Sequence, residues 1–168
     1  MTALRVVVLA DTHMRAGSSR RLPERARAEL AQADVILHAG DIVDATVLDA
    51  LAAYASVHAV LGNNDLSLVG VLPRILALEL ASVRIGMIHD SGPRRGRAAR
   101  LHRLFPDADI VVFGHSHVPV NETGVAGQLL FNPGSPTERR REPHGTIGIL
   151  ELEAGHLLDH RIEIVSDP

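Results

Sequence analysis

The 168 residues carry a formal net charge of −3, with 46% apolar side chains and 2% aromatic ones. This excludes a disordered chain, gives no charge footprint for nucleic acid, and leaves too few rings for a base-stacking binder. All seventeen cations are arginine and cysteine is absent, which excludes lysine Schiff bases, P-loop lysines, disulfides and thiolate chemistry.

Residues 4–10 form a β-branched, nearly continuous apolar run, the pattern of a strand buried on both faces. A polar loop with Gly17, Ser18 and Ser19 follows, and Pro23 opens a helix over 24–33. Residues 34–39 read as a second buried strand. A helix over 46–55 sets Val47, Leu48 and Leu51 on one face, and 56–61 read as a third short strand. Strands alternating with helices imply a parallel sheet with right-handed crossovers. In the second half, 75–81 and 83–89 read as two strands joined by a turn near Ser82. A basic helix over 94–104 and a buried strand over 109–113 follow. Later strands are expected over 129–131, 146–152 and 157–165. The whole pattern predicts an α/β fold, a sandwich of two mixed sheets flanked by helices, with residues 1–168 in one domain. The apolar start is too short for a signal sequence or a membrane span, and no later segment reaches that length, so a soluble cytoplasmic protein is expected.

Metal-ligand residue types collect where the apolar strands stop. The first strand ends in Asp11-Thr12-His13, the second in Gly40-Asp41 with Asp44 beyond, the third in Gly62-Asn63-Asn64-Asp65. The strand begun near Val83 ends in His89-Asp90, and the one begun at Asp109 ends in Gly114-His115-Ser116-His117. Open α/β sheets bind ligands just outside the carboxyl ends of their strands. Five such ends would bring Asp11, His13, Asp41, Asn63, His89, His115 and His117 to one crevice. In extended backbone, residues i and i+2 face the same way, so both members of Asp-x-His and His-x-His are expected to reach it. Seven nitrogen and oxygen donors are too many for one tetrahedral ion and suit two ions that share a carboxylate, for which Asp41 is central. Ligand type alone favours Mn, Fe, Zn, Co or Ni over Ca or Mg and permits all five, and manganese is the metal expected first. Gly40, Gly62 and Gly114 each precede a candidate ligand, where backbones must approach closely.

These five segments resemble the calcineurin-like metallophosphoesterase superfamily, whose pattern reads Asp-x-His, Gly-Asp-x-x-Asp, Gly-Asn-His with an acidic residue, a later His, and Gly-His-x-His. The match runs in order over residues 11–117. The short chain and the Asn132-Pro133-Gly134-Ser135 turn look like its small single-domain phosphodiesterase branch. The resemblance implies one metal on Asp11, His13, Asp41 and His117, and a second on Asp41, Asn63, His89 and His115. It implies a bridging hydroxide as nucleophile, acting in line on a small phosphate ester, and gives Asp44 and Asp65 the task of orienting ligands. Many members carry His directly after the liganding Asn. Here that position is Asn64, which can hydrogen-bond phosphate but cannot act as a general acid, so good leaving groups are expected to be favoured. Asp90 stands where small relatives often have Gly, and is expected to narrow the way in or add negative charge there.

The reading that follows is a metal-dependent phosphodiesterase acting on a small ester, without nucleic-acid or membrane partners. A phosphomonoesterase or nucleotide phosphatase, and a non-catalytic metal-binding scaffold of the same fold, stand beside it. Pairing of apolar C-terminal edge strands would make a homo-oligomer. Asp44 also reads as a helix N-cap. His38 reads as a hydrogen-bonded core residue, and His58, His102, His144, His156 and His160 as structural or surface. The arginines at 94, 95, 97, 100 and 103 read as a solvated helix face, and Arg139-Arg140-Arg141 as a group that steers an anionic substrate.

Overall fold

Two five-stranded sheets face each other in the computed structural model, which describes residues 3–166. The first half supplies β1 (Leu4–Leu9), α1 (Glu24–Leu30), β2 (Val35–His38), α2 (Ala45–Ala52) and β3 (Ser56–Ala59). The second supplies β4 (Ile75–Leu80), β5 (Val83–Ile88), α3 (Arg97–Leu104), β6 (Ile110–Val112), β7 (Val120–Thr123), β8 (Leu129–Asn132), β9 (Gly145–Glu153) and β10 (His156–Ser166). One sheet runs β10-β9-β1-β2-β3 and the other β4-β5-β6-β8-β7. The centres β1-β2-β3 and β5-β6-β8 are parallel, while β9, β10, β4 and β7 join antiparallel, so both sheets are mixed as expected.

Alternation along the strands makes the layers. Val6, Val8, Leu37 and Leu150 enter one core with Ile85, Ile110, Val112 and Phe131 of the opposite sheet. Their neighbours Val7, Leu9, Ile36 and Ile149 point outward, where they meet Ala26 and Leu30 of α1 and Val47 and Leu51 of α2. On the other outer face Val111, Phe113 and Leu130 pack with Leu101 of α3 and Phe105. These strands are covered on both faces, which is why they read as continuous apolar runs.

Several expected boundaries move. Helix α1 stops at Leu30. Helix α3 begins only at Arg97, because Gly96 has φ 75° and residues 94–96 are not helical. The solvated-face expectation for this helix is corrected at two positions. Arg97 stacks its guanidinium 5.1 Å from the centroid of the Phe113 ring. Arg100 donates to Ser91 O (2.7 Å) and Pro93 O (2.6 Å), pinning the loop after His89. Strand β7 was not anticipated. Its Val120-Asn121-Glu122-Thr123 sequence is polar because three of its four residues are exposed at a sheet edge. No helix among the described residues is long and apolar enough to cross a membrane.

Candidate metal centre

The carboxyl ends of β1, β2 and β3 meet those of β5 and β6, and the parallel ladders run on into the loops beyond. Asp11 N–H donates to Gly40 O and His13 N–H to Asp41 O, each at 2.9 Å, and Gly114 N–H donates to His89 O at 2.9 Å. Asp11, His13, Asp41, Asn63, His89, His115 and His117 thereby come together from five loops. His13 Nε2 lies 3.5 Å from Asp41 Oδ2 and His89 Nε2 lies 3.5 Å from Asp41 Oδ1. Each Asp41 oxygen therefore faces a different side of the cluster. On the first side His117 Nε2 is 3.6 Å from Asp11 Oδ1 and 3.3 Å from His13 Nε2. On the second, Asn63 Oδ1 is 2.9 Å from His89 Nε2 and 3.1 Å from His115 Nδ1. Asp11 leans to both sides, since its Oδ1 is also 4.0 Å from His89 Nε2.

The paired ligands do not reach the site through extended backbone. Asp11, His13, Asp41, His115 and His117 have φ of 54°, 43°, 57°, 70° and 61°, and the β-branched Val43 has 85°. Left-handed turns at alternate residues aim both members of Asp-x-His and His-x-His inward. A non-glycine residue held there costs of order 1–3 kcal/mol and marks functional positions. Gly62 is required by packing, because a Cβ on it would lie 2.1 Å from Asp41 N.

Neighbours fix the imidazoles. His89 Nδ1–H donates to Ala39 O at 2.7 Å and His117 Nδ1–H donates to the Glu138 carbonyl, so each turns Nε2 into the cluster. Asp65, 1% exposed, accepts three backbone N–H bonds: Asp41 (2.9 Å), Gly62 (2.7 Å) and Val43 (2.7 Å). Its one carboxylate ties the Asp41 loop to the Asn63 loop. Asp44 caps α2 by accepting from Thr46 N (3.0 Å) and also accepts from Ala16 N (3.1 Å), which anchors the segment after His13. It touches none of the seven donors directly. His38 is the hydrogen-bonded core residue expected, and burial pushes its pKa down to about 3. Gly40 N–H donates to His38 Nδ1 (3.2 Å), so Nε2 carries the proton and donates to Thr12 Oγ1 (3.0 Å), linking the Asp11-Thr12-His13 and Gly40-Asp41 loops.

Asn64 bonds the central carboxylate itself, its N–H donating to Asp41 Oδ1 (2.8 Å) and its side-chain amide to Oδ2 (2.7 Å). Four further residues escaped sequence reasoning. Ser135 Oγ donates to Asp11 O (2.8 Å), Thr137 Oγ1 to Thr12 O (2.6 Å), and Asn132 Nδ2 to Gly114 O (3.0 Å). Glu138, besides receiving His117, holds Arg20 at 3.0 Å. The only signal for them was the Asn132-Pro133-Gly134-Ser135 turn.

The electrostatics ask for a cation. Burial pushes the Asp11 carboxyl up to about 7, and its buried Oδ2 has no hydrogen-bond partner. Burial also lowers the pKa of His13 and of His117. Burial disfavours a charged Asp41, but hydrogen bonds from His89 and Asn64 and the His89 charge outweigh it and hold the carboxyl low. Burial likewise opposes a charged His89, yet Asp41 holds its pKa above the ordinary value. An imidazole lone pair aimed at another imidazole nitrogen, and a buried carboxylate oxygen without a donor, fit a bound cation. The groups Asp11, His13, His117 and Asp11, Asp41, His89 each bring ligand atoms within 4.8 Å of one another. The residues present fit divalent transition-metal ions.

Known proteins resemble this chain in sequence and in fold. The chain is 38% identical over 136 residues, 79% of this chain and 68% of the relative, to a probable metallophosphoesterase of Methanocaldococcus jannaschii. Its fold is similar to wild-type Vps29 of Entamoeba histolytica complexed with zinc, at TM-score 0.77 and 24% identity over 97% of this chain and 99% of the other. It is also similar to an archaeal phosphodiesterase, at TM-score 0.72 and 20% identity over 96% and 99%. The calcineurin-like phosphoesterase superfamily domain profile matches residues 4–155, and the chain belongs to that family as a metal-dependent phosphoesterase.

Proposed function

We propose that this phosphoesterase hydrolyses phosphodiesters at a dinuclear metal centre, with manganese as its working metal. The observation that carries the reading is Asp41, whose two oxygens face two separate groups of donors. Asp11, His13 and His117 would hold one ion with Asp41, and Asn63, His89 and His115 the other. Two divalent ions there would supply a nucleophile at neutral pH and neutralise charge on the phosphoryl group.

The chain's own residues do the rest. Ala39 and Glu138 carbonyls keep His89 and His117 in the tautomer that offers Nε2. Asp65 holds the Asp41 and Asn63 loops at fixed spacing. Arg139 is spent on its own loop, donating to Glu142 O (3.0 Å) and Pro143 O (2.8 Å). Arg140 is exposed, and its positive charge bears on Asp11, His13 and His117, which suits it to draw in an anionic substrate. Asn64 brings no acid to the leaving group, which supports a preference for esters of acidic alcohols.

The test uses metal-stripped protein reloaded with Mn²⁺, assayed on bis(4-nitrophenyl) phosphate and on 4-nitrophenyl phosphate. The expected result is metal-dependent cleavage of the diester in preference to the monoester, lost in Asp41→Asn. Preference for the monoester would make it a phosphomonoesterase. Tight metal uptake with no cleavage of either would leave a non-catalytic metal-binding protein.

A further inference from the structure

We propose that the cleft beside Asn63, His89 and His115 is the subsite for the organic group that stays on phosphorus, and that this group is compact, neutral and mainly apolar. The proposal rests on the phosphodiesterase reading above.

The cleft encloses about 320 Å³, near the lower end of the range for ligand sites. Asn63, His89 and His115 line it, so a phosphoryl group held on their side of the centre would have one substituent beside it. The aliphatic part of the lining is Leu61 after β3, Ile75 at the head of β4 and Ile88 at the end of β5. Ile75 and Ile88 are cross-strand partners, so this part is fixed to the strand that delivers His89. Ile75 remains 46% exposed, an apolar surface that a ligand would take out of water. A larger cavity of about 440 Å³ near Leu104 and Phe105 contains none of the seven donors, so size alone does not mark the subsite.

Arg74 and Asp90 set the polarity of the lining. Asp90 is fixed by Gly92 N–H, which donates to its Oδ1 at 2.7 Å, and its Oδ2 stands 4.0 Å from His115 Nε2. Asp90 and Arg74 bring one formal charge of each sign to the lining, so the cleft favours no net charge on the substituent. Charge on the substrate is instead met on the Asp11, His13 and His117 side, on which the positive charge of Arg140 bears. In-line attack from between the two groups of donors sends the leaving group away from the centre, whereas the cleft lies beside Asn63, His89 and His115 on one side of it. It suits the group that is retained, and the leaving group departs toward solvent.

Two diesters with the same 4-nitrophenolate leaving group separate the possibilities: phenyl 4-nitrophenyl phosphate and methyl 4-nitrophenyl phosphate, each normalised to its hydroxide rate. The expected kcat/KM favours the phenyl ester by about tenfold or more, the size of burying one ring against aliphatic side chains. Ile75→Ser is expected to reduce that ratio several-fold. In the zinc-loaded wild type, phenylphosphonate is expected to shift the methyl NMR signals of Ile75 and Ile88, and methylphosphonate is not. Equal normalised rates, or shifts that spare both isoleucines, overturn the proposal and leave the phosphodiesterase reading standing. Failure to cleave either ester overturns both.

Discussion

The two ends of the sandwich use the same backbone conformation for different purposes. At the end away from the metal centre, Ala81, Ser82 and Ala154 have φ of 47°, 65° and 47°, and Gly155 has 83°. They form the two-residue turns of the β4–β5 and β9–β10 hairpins, where positive φ suits the strand twist, and the turns touch through Gly155 N–H donating to Ala81 O at 2.7 Å. At the other end, positive φ falls on Asp11, His13, Asp41, His115 and His117, none of them in a hairpin. In the first case the conformation is selected by the turn and the side chains are incidental. In the second the side chains are needed, and the loops are forced into place by Asp65, His38, Asn132 and Ser135 around them. Left-handed backbone under a candidate metal ligand therefore points to chemistry, whereas the same φ in a hairpin does not.

The comparison breaks first at Asp65. Asp65→Ala leaves three backbone N–H groups without their carboxylate, two of them on the deeply buried Asp41 and Gly62. The expected cost is about 3–5 kcal/mol in chemical denaturation, with a matching loss of metal affinity. A loss below about 1 kcal/mol would mean the loops hold their shape without it. At the opposite end, Ala154→Gly relieves a left-handed alanine but adds freedom to the unfolded chain. Stability should move by less than about 1 kcal/mol and metal uptake should not change. A metal-affinity change in this variant would show that the two ends are coupled through the sheets.

Much of the centre was legible because it is written at strand ends. Asp11, His13, Asp41, Asn63, His89, His115 and His117 each follow an apolar run, and a parallel sheet collects such positions at one edge. The backbone that aims them was not legible. Asp11, at left-handed φ, accepts at its carbonyl from Ser135 Oγ, more than a hundred positions away, and such tertiary bonds leave no local signal. Local spacing suggested extended chain instead. The role of Asn64 toward Asp41, and of Arg97 and Arg100 in packing, depends equally on tertiary neighbours. Strand β7 was hidden because a polar edge strand lacks the apolar signature.

The central claim is that Asp41 joins two metal sites. Titrating metal-stripped protein with Mn²⁺, and counting ions bound per chain in the wild type and in Asp41→Asn, tests it directly. Two ions in the wild type and at most one in Asp41→Asn is the predicted result. A single ion in the wild type, or two retained after Asp41→Asn, would contradict it.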